Sequence, residues 1–394
     1  MAMRQIAIVG GGPAGAMCGQ RLASAGFDVT IYDEHLAWEK PCGGGLTHKA
    51  VVAYPFLFDS PYAKKLVHTV ELISSCGHLA RLTLDHPIVI YSRTVLNGLL
   101  LERAAAAGCQ VVRSHVGQVD TSASRVRLRV GEAWSEADFV VIAAGARNAL
   151  PLGAQPLARG DLEMTLGYFI PSQADAIRVK FLKRFEGYIW SFPRADHLSV
   201  GICGKMSRHT APELRHLLEQ FLSDEGISAK NGSLYSHVLP SPRLQTLRQR
   251  RLAGPNWALA GDAAALVDPI TGEGLYYALR SGDILAEMLI AGSPSRYPER
   301  LRSDFSVDLE FGARVARHVY AGRFLGGAVT TRMVQFVNRS ATFRTLMGDL
   351  FSGAQNYSSL KRRLWTQFGL TASEVIVSLL KPGQSLARQT TGDA

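Results

Sequence analysis

The stretch RQIAIVGGGPAGAMCGQRLASAGFDVTIYDEH, residues 4–35, leaves this chain few choices of fold. It reads as a short apolar strand, a glycine turn, a helix with small residues on one face, and a second strand ending on Asp33. That is a βαβ unit, the building block of an α/β fold. Gly10, Gly12 and Gly15 stand in GxGxxG order. The first glycine allows the tight turn, the second lets backbone approach a pyrophosphate, and the third brings helix and strand close. A helix opening at Pro13 and Ala14 turns its unpaired N–H groups toward such a phosphate. Asp33, eighteen residues beyond Gly15, is spaced to accept hydrogen bonds from the ribose hydroxyls of an adenosine.

The rest of the composition narrows the class. With 394 residues and 47% apolar content, the chain can bury one large core or two moderate ones. Its five cysteines, at positions 18, 42, 76, 109 and 203, form no CxxC pair, which argues against a disulfide scaffold, structural zinc or an iron–sulfur cluster. The histidines show no ligand spacing either, so no metal is expected. The chain enters a strand within a few residues of its start, and no apolar run approaches the ~20 residues of a membrane span. A cytoplasmic protein is expected, free in solution or held at the inner face of a membrane. The formal charge of +10 is uneven: from Arg300 onward thirteen Lys/Arg face six Asp/Glu, so +7 lies in the last quarter. Without a nucleic-acid motif, that excess suits an anionic membrane surface, a phosphorylated substrate or a solvated helical surface.

The pattern changes along the chain. Residues 66–92 alternate as strands around a Cys76–Gly77 turn, with no helical crossover. Residues 151–253 are strand-like segments with one amphipathic helix, APELRHLLEQFLSDEG. We therefore expect a discontinuous nucleotide domain at 1–65, 88–150 and 254–295. An antiparallel-sheet substrate domain is expected at 66–87 and 151–253, and a helical region at 296–394.

The partner of GxGxxG lies far downstream in LAGDAAALVDPITGEG. A strand delivers Gly261 and Asp262, and the chain passes Pro269, Gly272 and Gly274 before a helix opens at Leu275. An aspartate there can bind a polyol, and the glycines let N–H groups approach a flat, electron-accepting ring. A flavin has both parts. The pairing resembles the FAD-binding fold of the p-hydroxybenzoate hydroxylase type, over about the first three hundred residues. The resemblance implies that Asp262 contacts the ribitol, that Pro269 to Leu275 line the isoalloxazine, and that Arg93 reaches the pyrophosphate or ribityl chain. Where that pattern has an aspartate before Gly145, this chain has Ala144, so no role in cofactor or substrate binding is expected of that turn.

Within the superfamily, KPCGGGLT and the downstream GYIWSFP are together similar to the geranylgeranyl reductase family. Its members use reduced FAD to saturate carbon–carbon double bonds of isoprenoid chains. The resemblance implies that Gly43, Gly44, Gly45 and Leu46 pass along the ribityl chain and ring edge. Tyr188, Trp190 and Phe192 alternate on a strand ending at Pro193. They share one face, either an aromatic floor for an isoprenoid tail or a sheet core. Cys42, as a thiol near the flavin, is a candidate to donate or relay a proton, to position the ring, or simply to fill space.

Rival readings are an FAD-dependent monooxygenase or halogenase, and a non-catalytic FAD-containing lipid-binding protein. Halogenases resemble this chain with a WxWxIP motif, which Tyr188 and Phe192 break. A single nucleotide fingerprint leaves the electron donor as NADPH, ferredoxin or another carrier protein. The substrate is expected to be apolar, an isoprenoid diphosphate or lipid.

Overall fold

The computed structural model describes residues 3–147 and 156–380. The expected domain boundary at 150/151 and the helical region beyond residue 380 lie outside the described residues. Among these, a five-stranded parallel sheet carries the order Trp257–Leu259, Phe139–Ile142, Gln5–Val9, Asp28–Asp33, Gln110–Arg113. Its central strands Gln5–Val9 and Phe139–Ile142 are almost continuously buried, as apolar strands covered on both faces must be. The helix Pro13–Ser24 packs on this sheet and against the distant helix Leu275–Ile290. A Cβ on Gly282 would stand 2.2 Å from the carbonyl oxygen of Ala14, so only glycine permits that approach. This contact brings the two halves of the nucleotide motif together.

A second sheet of eight strands is mixed. Its order is Ser233–Pro240, Leu162–Ile170, Leu198–Lys205, Gly187–Pro193, Ala176–Phe181, Lys65–Ile73, Leu79–Ile90, Gly45–Leu46. All neighbours are antiparallel except Ala176–Phe181 with Lys65–Ile73. The edge strand Gly45–Leu46 comes from KPCGGGLT and pairs with Ile90 and Val89. The glycine run is therefore part of the sheet that carries the aromatic strand. The helix Ala211–Asp224 covers one face of this sheet with Leu214, Leu218 and Phe221. A Thr210–Glu213 capping box starts that helix.

A small meander of Val116–Asp120, Val126–Val130 and Ala133–Ala137 lies between the helix Arg93–Ala106 and the strand Phe139–Ile142. After residue 290 the described chain is almost wholly helical. Val334, Val337 and Met347 from these helices pack on Val67, Leu82 and Ile88 of the eight-stranded sheet. The C-terminal helices thereby close one side of the space between the two sheets.

Candidate functional site

A cavity of about 910 Å³ runs between the two sheets and under the C-terminal helices. Gly10, Gly12, Pro13, Ala14, Asp33, Cys42, Gly43, Gly44, Gly45 and Arg93 line it, as do Gly261, Asp262, Gly272, Gly274, Leu275, Tyr188, Trp190 and Phe192. Four other candidates lie behind its wall. Gly15 backs the turn, where an added Cβ would stand 1.9 Å from the carbonyl oxygen of Gly10. Leu46 is fully buried in the core. Pro193 closes the aromatic strand, and Pro269 packs near Gly312. Ala143 to Arg147 also line the cavity, although Ala144 breaks the expected pattern there.

The two glycine-bearing segments are tied directly to each other. Lys40 Nζ pairs with Asp262 at 3.0 Å. Glu273 pairs with Lys49 and accepts from the Thr47 hydroxyl, each at 2.5 Å. Burial alone would push the Asp262 carboxyl up, but the Lys40 ammonium outweighs it and holds the group below the usual carboxylate range. Lys49 is likewise held charged by Glu273 against the opposing effect of burial.

The glycine run has reasons inside the protein that its spacing does not reveal. The Phe192 ring lies so close that a Cβ on Gly43 or on Gly45 would stand 3.0 Å from it. Gly44 adopts φ +81°, and a Cβ there would fall 2.1 Å from the carbonyl oxygen of Tyr91. All three line the cavity where cofactor contact is expected of them; two of them also seat an aromatic ring, and the third allows a backbone crossing.

Arg194 was not singled out by its sequence position, though it directly follows the FP of the aromatic strand. It is 0% exposed, pairs with Glu39, and donates to the carbonyl oxygen of Cys42. The Ser199 hydroxyl donates to the same carbonyl at 2.9 Å. Glu39 also accepts from the backbone N–H groups of Arg93 and Thr94, capping the helix Arg93–Ala106. Burial opposes its charge, yet Arg194 and these donors hold its carboxyl low.

Three tyrosines converge on residues 268–271. Tyr188 donates to the carbonyl of Thr271 at 2.5 Å, Tyr320 donates to that of Ile270, and Tyr357 donates to both oxygens of Asp268 at 2.9 and 2.8 Å. Asp268 in turn accepts from the N–H groups of Ile270 and Thr271. Burial pushes all three phenols and the Asp268 carboxyl up. Sequence spacing gave no signal for Tyr320 or Tyr357.

The cavity has the features an FAD requires. Nothing stands within 4 Å of the place a Cβ would take on Gly12, leaving open space before the helix N-terminus. Arg93 is 4% exposed, donates to Asn97, and keeps a buried Nε with no partner. A diphosphate would satisfy it. Asp33 holds its own turn through the N–H groups of Gly11, His35 and Leu36, which fixes its carboxylate at the rim. Among the described residues no group of three or more His, Cys, Asp or Glu side chains is gathered as a metal site, and all five cysteines are free.

Comparison with known proteins points the same way. The profile of the pyridine nucleotide-disulphide oxidoreductase family matches residues 4–189. A chloroplastic geranylgeranyl diphosphate reductase of Oryza sativa subsp. japonica is 27% identical, over 73% of this chain and 67% of its own. A menaquinone reductase of Mycolicibacterium smegmatis is 25% identical over 94% and 97% of the two chains. A geranylgeranyl bacteriochlorophyll reductase-like structure from Thermoplasma acidophilum superposes with a TM-score of 0.76 at 23% identity, covering 93% of this chain and 99% of that one. That structural likeness establishes the fold.

Proposed function

We propose that the chain is an FAD-dependent oxidoreductase of the geranylgeranyl reductase type, and that it saturates carbon–carbon double bonds of an isoprenoid or related apolar substrate. One observation carries the reading. The cavity that the nucleotide motifs line is continuous with walls of Ile177, Val179, Phe181, Met333, Phe343 and Met347, all apolar and drawn from the second sheet and the C-terminal helices. A polar cofactor seat that opens into a hydrocarbon-lined space suits an alkene donated by a long tail.

Reduced FAD supplies the hydride when bound. In this reading residues 1–65, 88–150 and 254–295 hold the coenzyme, and residues 66–87 and 151–253 form the substrate wall. Gly12, Pro13 and Arg93 bind the pyrophosphate, Asp33 the ribose and Asp262 the ribitol. Tyr188, Trp190 and Phe192 exclude water and orient the tail. Cys42, whose carbonyl Arg194 and Ser199 fix, holds the proton that completes the addition at its Sγ. The electron donor is NADPH or a carrier protein such as ferredoxin.

The test is anaerobic incubation of dithionite-reduced, FAD-loaded protein with prenyl diphosphates, prenylated lipids and prenylated quinones. A gain of about two mass units per saturated bond is expected. No gain with any of them would overturn the reading, and oxygen-dependent hydroxylation or halogenation would replace it with the monooxygenase or halogenase alternative.

A further inference from the structure

The cavity wall reaches the protein surface at the helix Tyr357–Thr366. Leu360 and Leu364 of that helix line the cavity together with Phe311, Val315 and Val319 of the helix Val307–Ala321, and Leu364 is also exposed. Beside it the surface turns apolar. Trp365 is 76% and Phe368 66% exposed, and Leu370, Ile376 and Val377 of the following helix Phe368–Leu380 are exposed as well.

The free charge on the terminal helices is basic: Asp349 is paired with Arg363, and Asp308 accepts from the first N–H groups of the helix Tyr357–Thr366. Lys361 and Arg362 lie one turn before Leu364 and Trp365, are exposed, and make no ion pair among the described residues. Arg314 on the neighbouring helix is in the same position. The one acid of the two terminal helices, Glu374, is turned onto Ser340 and Thr342. Unpaired cations beside an exposed tryptophan and phenylalanine make a surface complementary to anionic lipid, where aromatic rings settle at the boundary between head groups and acyl chains.

We propose that this face docks the protein on an anionic bilayer, with Trp365 and Phe368 in the boundary layer, Lys361 and Arg362 against lipid phosphates, and the cavity wall at Leu364 turned to the membrane. Docking stands on the surface alone; only its use, delivery of a lipid-borne tail, rests on the reductase reading. No described helix is long and apolar enough to cross a membrane, so the contact is peripheral.

The experiment is flotation of the full-length, FAD-loaded chain with vesicles of phosphatidylcholine alone and of phosphatidylcholine mixed with phosphatidylglycerol. Binding is expected only to the anionic vesicles and is expected to weaken with salt. The pairs Trp365→Ser with Phe368→Ser, and Lys361→Ala with Arg362→Ala, should each lower partitioning by roughly tenfold or more, while thermal unfolding and flavin content match wild type. Equal binding to both vesicle types, no binding, or unchanged binding by the variants would overturn the proposal. So would a wild-type dimer that Trp365→Ser turns to monomer without a change in flotation, since the face would then meet a second copy. A wild type that floats yet reduces no alkene would sink the reductase reading and leave docking intact.

Discussion

Arg194, buried at the end of the aromatic strand, donates to the carbonyl oxygen of Cys42 in the glycine run. The same guanidinium pairs with Glu39. Replacing it with methionine strands a carboxylate that the fold holds charged, a loss worth about 3 kcal/mol. We expect Arg194→Met to lower the denaturation midpoint accordingly and to cut kcat more than it raises KM. An unfolding curve superposable on wild type would show that the clamp carries no load.

Cys42 lines the cavity, and its Sγ accepts from the Gly44 N–H at 3.3 Å. Cys42→Ser is expected to retain FAD, seen as an unchanged visible spectrum, and to lose most alkene reduction under single-turnover conditions. An unaltered turnover number would reduce the thiol to packing.

The three glycines of the run should respond differently to a methyl group. Gly43→Ala meets the Phe192 ring at 3.0 Å, a side chain that can yield, whereas Gly44→Ala meets the Tyr91 carbonyl at 2.1 Å with φ at +81°. We expect Gly44→Ala to cost about 2 kcal/mol or more and Gly43→Ala distinctly less. Phe192→Leu should relieve Gly43→Ala and leave Gly44→Ala unimproved in urea melts. Equal costs for the two alanines would contradict this geometry.

His237 lines the cavity with an unpartnered Nε2. Burial, then the cations of Lys40, Arg147 and Arg93, push its pKa from the ordinary 6.5 down to about 4. Between those values the unfolded chain binds a proton that the folded chain refuses, so stability falls as pH falls through this window, by up to about 3 kcal/mol. Equilibrium unfolding of apoprotein from neutral pH to pH 4 should show this decline, and His237→Gln should flatten it. Parallel curves would remove the ring from the account.

The parallel sheet and its nucleotide turn were readable because their information is local: a strand, glycines and an acid within residues 5–33. The aromatic strand was readable for the same reason, since alternation alone puts Tyr188, Trp190 and Phe192 on one face. The meander at 116–137 was not: the sequence pattern places residues 88–150 in the nucleotide domain without marking a separate three-stranded sheet there. Arg194, Tyr320 and Tyr357 were also out of reach. Each acts through a partner at least fifty residues away, Glu39, Ile270 and Asp268 respectively, and no spacing rule links such pairs.

The convergence of Tyr188, Tyr320 and Tyr357 on residues 268–271 joins three remote stretches of polypeptide to one turn. All three stretches also wall the apolar space. If residues 268–271 flank the coenzyme as proposed, remodelling the terminal helices to accept a longer or bulkier tail tugs on that segment, and substrate range and redox behaviour in this scaffold should drift together as one inherited trait.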